Sequence, residues 1–237
     1  ETGGNMPLRI FNRAETPALY AIETRALINP NLIDDPMVLR AAANNPSGAA
    51  FNILTTTLES YEFIRRFSDK ETPLLRYYWA PLESWDCGSC YSNNRIRLGG
   101  QEGDPDEWDD DVIRHEFGHY FMDRFSHDDS PGGSHNGDRT NPLLAFGEGI
   151  ATFFGSMTSN QPHYVDIRGN RITHRNIETL NNNRQYRGTG SNRLDGAVSE
   201  YLVAAVLWDL HDDSGDAEDH DRISLGDQGI MPILLED

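Results

Sequence analysis

Cysteine is nearly absent from this chain of 237 residues, which has only Cys87 and Cys90. Two cysteines cannot by themselves close a four-ligand zinc ribbon. Positive charge is scarce too. Lys and Arg together number 20 against 38 Asp and Glu, for a net charge of −18 and a pI near 4.7. Such a balance repels nucleic acid and anionic membrane surfaces, and favours solubility, calcium or a saline setting. Long apolar runs are missing, so no segment reaches the length needed to span a bilayer. No charged-then-apolar leader stands at the start. Glu1-Thr2-Gly3 before Gly4-Asn5 reads as a processing or expression scar, with the natural start expected upstream, and is set aside from the fold reasoning.

What is present is more telling. His115-Glu116-Phe117-Gly118-His119 sits inside the stretch Asp109 to Asp123. Residues four apart stack on one face of a helix, so both imidazoles point the same way with Glu116 beside whatever they hold. Neutral imidazole is a good zinc ligand, and a catalytic zinc site takes three protein ligands and keeps one position open. Zinc lowers the pKa of its water towards neutrality, and Glu116 is placed to take the proton. Asp109, Asp110 and Asp111 suit a helix start, where the macrodipole favours negative charge, and Val112, Ile113, Phe117, Tyr120 and Phe121 supply a face to bury.

A third ligand is needed. His119 is followed by Tyr120, Phe121 and Met122, so the Gly and third His of the metzincin pattern are lacking. Glu148 lies downstream in Gly147-Glu148-Gly149-Ile150-Ala151-Thr152-Phe153-Phe154, with residues 120–147 between it and His119. This segment resembles the glutamate-helix signature of gluzincin metallopeptidases. The likeness covers roughly Asp104 to Phe154, and more loosely Ser199 to Leu225. It implies that Glu148 is the third zinc ligand and that the fold is a two-part peptidase with zinc in the cleft between the parts. The spacer is longer than in thermolysin-like and M1 aminopeptidase gluzincins, and no Gly-Ala-Met-Glu-Asn exopeptidase motif occurs. The chain looks closer to bacterial secreted families with long spacers. Gly149 and Ala151 are expected to let the two ligand helices pack closely.

Along the chain, Pro7 to Asn29 reads as one or two strands, and Pro30 to Ser47 as a surface connection with a short helical piece at Met37 to Ala43. From Gly48 to Phe67, Phe51, Leu54, Leu58, Tyr61, Ile64 and Phe67 recur at helical steps and predict a core helix. Leu74 to Ala80 and Arg95 to Leu98 read as strands, with Asn94 to Leu98 the candidate sheet edge beside the cleft. Cys87-Gly-Ser-Cys90 is read as a small loop disulfide in an oxidising compartment; a free pair, or a cysteine joining the two histidines on zinc as in peptide deformylases, are the alternatives. The polar loop Ser126 to Asp138 is expected to border the cleft, with His127 and His135 as competing ligands or plain surface. An arginine island (Arg168, Arg171, Arg175, Arg184, Arg187, Arg193) either pairs with the protein's own carboxylates or grips acidic groups of a substrate. Asp195 onward predicts a nearly all-round apolar helix, the buried pillar of the C-terminal half, and Asp209 to Asp221 is an acidic run that fits calcium without matching an EF-hand.

The reading is an α+β, zincin-like fold in one unit, residues 1–237. Its N-terminal lobe (about 5–124) holds a mixed sheet, a core helix and the His helix, and its C-terminal lobe (about 125–237) is mainly helical. The expected function is a secreted or cell-surface zinc metalloendopeptidase acting on peptide or protein substrates, with Zn2+ on His115, His119 and Glu148, and Glu116 as general base. Ca2+ is a second candidate cofactor. Resemblance to gluzincins implies a Tyr or His partner for the transition state, and Tyr186, Tyr201 and His211 all qualify. The alternatives are a non-catalytic zinc-containing adhesion module and a zinc hydrolase of a non-peptide bond.

Overall fold

A computed structural model describes residues 7–13, 17–21, 40–178, 198–213 and 223–235. The fold is α+β. Strand β1 (Leu8–Phe11) is followed by helix α1 (Pro46–Arg65) and strands β2 (Leu75–Tyr78), β3 (Cys90–Ser92) and β4 (Arg95–Arg97). A single 3-10 turn (Asp106–Trp108) leads into α2 (Asp110–Phe125), then α3 (Pro142–Ser159), the hairpin β5 (His163–Arg168) and β6 (Arg171–Asn176), α4 (Glu200–His211) and α5 (Gly226–Leu234).

The first sheet has the order β1-β2-β4-β3. β1 and β4 run parallel to β2, while β3 turns back antiparallel on β4, with Ile96 opposite Tyr77 on one side and Tyr91 on the other. This corrects the expected edge. β4 lies inside the sheet because Asn93 and Asn94, both at positive φ, make the tight turn that folds β3 back over it. The strand at the edge is therefore β3, which carries Cys90.

Helix α1 begins at Pro46, with Asn45 accepting from the Ser47 amide as its N-cap. Its most buried face is Ala49, Ala50, Ile53, Thr56, Thr57, Ser60 and Ile64, rotated from the aromatic stripe the periodicity suggests. Small and hydroxyl side chains allow close approach on two sides. Thr57 donates to the Ile53 carbonyl and is 3.0 Å from the Tyr77 hydroxyl in the sheet, while Asn52 and Thr56 both donate to Asp110 at the start of α2. Phe51, Leu54, Leu58 and Phe67 are half-buried around this face. Residues 40–43, the described part of the expected Met37 to Ala43 helix, are not helical.

The core lies where α1, α2 and α3 meet. Phe154 of α3 stacks on Phe121 at 4.8 Å and touches Phe117 at 5.9 Å and Phe63 at 6.5 Å. α2 and α3 cross at Gly118, where an added Cβ would come within 2.8 Å of the Ala151 Cα. The expected close packing by Gly149 points elsewhere. Its missing Cβ leaves room for Val203 and the Glu200 carbonyl, so Gly149 seats α4 on the far side of α3. α4 is one-sided rather than apolar all round: Ala204, Ala205 and Trp208 are buried, while Val206 faces outward at 49% exposure.

The acidic start of α2 does more than complement the helix dipole. Asp111 and Asp109 accept the Val165 and Ile167 amides at 2.9 and 2.8 Å, so the second hairpin is docked by side chains on the entry to the His helix. Burial pushes Asp109 up to about 6.

Candidate metal centre

Helical spacing brings His115 and His119 together as expected. Their rings lie 4.9 Å apart, and their Nε2 atoms face one another at 3.2 Å. α3 contributes Glu148, whose Oε2 is 3.2 Å from His115 Nε2 and 3.1 Å from His119 Nε2. Four residues further along α3, Thr152 turns its hydroxyl to His115 Nδ1 at 3.1 Å. A hydroxyl there can accept a hydrogen bond from Nδ1–H, which would leave Nε2 free to ligate a metal. Metal-ligating histidines are typically oriented this way. Local sequence explains the arrangement: Gly118 lets α3 approach on the side that carries Glu148, and Asn141 with Pro142 starts α3 cleanly, accepting from the Leu143 amide.

These three donors fit zinc. Ligand distances of about 2.0–2.1 Å in a tetrahedron imply edges of about 3.3–3.4 Å, close to the 3.1–3.2 Å between the three atoms. Two imidazoles and one carboxylate are the donor types zinc prefers. Electrostatics agree. Burial opposes a charged His119, but the hydrogen bond and charge of Glu148 outweigh it and push its pKa up to about 9. Burial alone would raise Glu148, yet the two histidines pull it well below the carboxylate range. The pocket thus holds a carboxylate and attracts a cation.

Glu116 is buried against this cluster. Its Oε2 has no hydrogen-bond partner among the described residues, and burial raises its pKa, only partly offset by His115 and His119. An acceptor left bare beside this His–His–Glu cluster suits a group that takes a proton from something bound there. The cleft outside it encloses about 300 Å³, with Glu116, His119 and Glu148 at its floor and Cys90 on its wall. A somewhat larger hollow of about 370 Å³, over Trp79, Pro81 and Trp108, lies away from the histidines.

Cys87 and Cys90 form a disulfide, as expected, which removes both sulfurs from any ligand set. His127 is an exposed partner of Asp129 at 3.0 Å. His135 is different. The loop carries it back over the cleft, with Nε2 3.3 Å from Glu148 Oε2 and Nδ1 3.0 Å from Glu200 Oε2. Glu200, at the first position of α4, is brought close by the Gly149 contact. No periodicity marks this pair in the sequence. Tyr164 of β5 packs its ring 5.9 Å from that of His115. Of the three transition-state candidates, Tyr201 packs under Gly137 and Arg175, and His211 is 2.9 Å from Asp227 beside Phe153; neither lines the cleft. Tyr186 lies outside the described residues, as do Arg184, Arg187, Arg193 and most of the acidic run 209–221. Arg168 pairs with the protein's own Asp166 and Asp104.

Residues 63–228 match the family model of the mycolysin C-terminal domain. The chain belongs to that family. The matched stretch takes in α2, α3 and α4, and hence His115, Glu116, His119, His135, Glu148 and Glu200. The mycolysin C-terminal domain is associated with secreted, zinc-dependent metallopeptidases. A search of curated proteins finds no match. Among the described residues, no helix is long and apolar enough to cross a membrane.

Proposed function

We propose that this mycolysin-family chain is a secreted, gluzincin-like zinc metalloendopeptidase. The carrying observation is the convergence of His115, His119 and Glu148 beside a buried, unpartnered Glu116 oxygen. His115, His119 and Glu148 would hold Zn2+, which supplies a Lewis acid and brings the pKa of water near neutrality. Glu116 takes a proton from the attacking water and delivers it to the leaving amine. His135, held at Nδ1 by Glu200, donates from Nε2 to the carbonyl oxygen as negative charge develops there. Strand β3, at the sheet edge with Tyr91 and Cys90 on the cleft wall, offers an extended peptide a strand to pair with. The lobes either side of residue 124 form one zincin-like unit, and the disulfide supports an oxidising destination.

One observation favours a second reading. His135 Nε2 is 3.3 Å from Glu148 Oε2, so it could close a fourth ligand position and make the zinc structural, as in a non-catalytic adhesion module. Two variants separate the readings. Glu116→Gln should keep zinc and fold and lose about 10²–10⁴-fold in cleavage of a mixed peptide library. His135→Ala should keep its zinc and lower kcat. A wild type with full zinc and no cleavage, together with zinc loss in His135→Ala, would establish the structural alternative; equal cleavage by wild type and Glu116→Gln would refute the mechanism.

A further inference from the structure

We propose that Asp104, Asp106 and Asp166 form a second metal site, for a hard divalent cation of the calcium type, which pins the β5–β6 hairpin to the segment entering the His helix. One carboxylate oxygen from each lies within 4.8 Å of the others. The residues come from distant parts of the chain: Asp104 and Asp106 flank Pro105 before α2, and Asp166 is in the middle of β5.

Each carboxylate divides its two oxygens in the same way. Oδ2 has a protein donor: Gln101 for Asp104, Ser89 for Asp106, and Arg168 for Asp166. Oδ1 is buried in all three and has no hydrogen-bond partner among the described residues. The nearest cation to Asp104 Oδ1 is Arg168 Nε at 3.7 Å, an ion pair beyond hydrogen-bond length. Asp106 and Asp166 are only 3% and 6% exposed, so water has little access to these acceptors. Buried carboxylate oxygens without donors are costly, and one guanidinium, itself mostly in solvent, does not neutralise three of them.

Donor chemistry selects the occupant. All three groups offer oxygen, which selects against zinc and for a hard cation. Calcium takes 6–8 oxygen ligands in flexible geometry and completes its shell with carbonyls and water, whereas magnesium demands a strict octahedron. The Gly169 amide already donates to the Gly103 carbonyl, so the two segments touch at this corner and a cation would close it. Its functional reach is through β5. The same strand carries Tyr164 against His115, so a cation at Asp166 would steady the ring that packs on His115.

This site stands apart from the proposed peptidase chemistry and is tested by binding. Zinc-replete wild type is titrated with calcium chloride by calorimetry, and its melting temperature is followed. One calcium should bind, with Tm rising about 5–10 °C at a 100-fold excess over Kd. Asp104→Asn with Asp166→Asn should abolish that binding and the Tm shift with zinc content unchanged. If the double variant fails to fold, Asp104→Asn alone should weaken calcium binding at least tenfold. Absence of calcium binding by the wild type, or undiminished binding in the variants, as would follow if the ion sat in the acidic run 209–221, overturns the assignment.

Discussion

Replacing Gly118 by alanine tests whether the close crossing of α2 and α3 sets the metal geometry. The added methyl would lie 2.8 Å from the Ala151 Cα and 2.9 Å from its carbonyl oxygen, both backbone atoms, where ordinary contact starts near 3.4 Å. No rotamer change can relieve that overlap, so the helices must separate by roughly 0.5–1 Å. Overpacking of this kind costs about 1–3 kcal/mol, and alanine returns up to about 1 kcal/mol in helix propensity. A net loss of about 1–2 kcal/mol lowers Tm by about 2–8 °C. The effect on zinc should be larger in proportion. His119 and Glu148 stand on opposite sides of the crossing at 3.1 Å, and metal sites tolerate only about ±0.2 Å in ligand distance. Zinc affinity, measured by competition with a chelating dye, should fall tenfold or more. Gly155→Ala is the control on the same helix pair. Its Cβ would meet the Arg114 Cβ at 3.3 Å, only just inside ordinary contact, so a shift of about a tenth of an ångström accommodates it. That variant should melt no lower than wild type and bind zinc normally. If Gly118→Ala behaves like Gly155→Ala, the crossing does not set the ligand geometry.

Thr152→Val removes the acceptor at His115 Nδ1 and should cost 10–100-fold in zinc affinity while the helix stays intact, as read by the same competition and far-UV circular dichroism. Alkylation should label no thiol before reduction and both cysteines after it, and because the loop is short, reduction should cost about 2 kcal/mol or less. Zinc affinity should depend on pH through His119. Its folded pKa is raised to about 9 from the ordinary 6.5, so in the metal-free protein its stabilising charge is fully present below pH 6.5 and lost as pH rises through 9. Zinc must displace that proton, so log K should climb by about one per pH unit from 6.5 to 9 and then flatten, while the metal-free Tm falls over the same window. A flat affinity profile would show that the histidine is already neutral.

The clustering of His115, His119 and Glu148 was legible because its information is local. Four-residue spacing on α2 and a Gly-Glu-Gly step on α3 express the geometry directly in the sequence, and the cysteine spacing admits a bridge without distant help. His135 stands out in the sequence only as a competing ligand or plain surface, and its pairing with Glu200 was hidden for the opposite reason. The histidine reaches the cleft from an aperiodic loop, and its partner Glu200 is far along the chain, so only the α3–α4 contact at Gly149 joins them. The β5–β6 hairpin was missed because its residues are mostly polar and half-exposed, and its one alternating step, Val165-Asp166-Ile167-Arg168, is short. α5 carries Pro232 inside it, a residue that argues against a helix interior when seen in sequence alone. The interior position of β4 depended on a three-residue partner, β3, too short to register as a strand.

The carboxylates that receive β5 have a consequence for behaviour in solution. A two-stranded hairpin is marginal by itself, and its outer edge presents amide and carbonyl groups that can recruit another chain. Here the Val165 and Ile167 amides are already taken by Asp111 and Asp109, acidic side chains rather than a third strand. A neighbouring molecule would have to displace these two carboxylates to extend the sheet at those positions. The acid-rich entrance to the His helix therefore also serves as a guard against edge-to-edge aggregation.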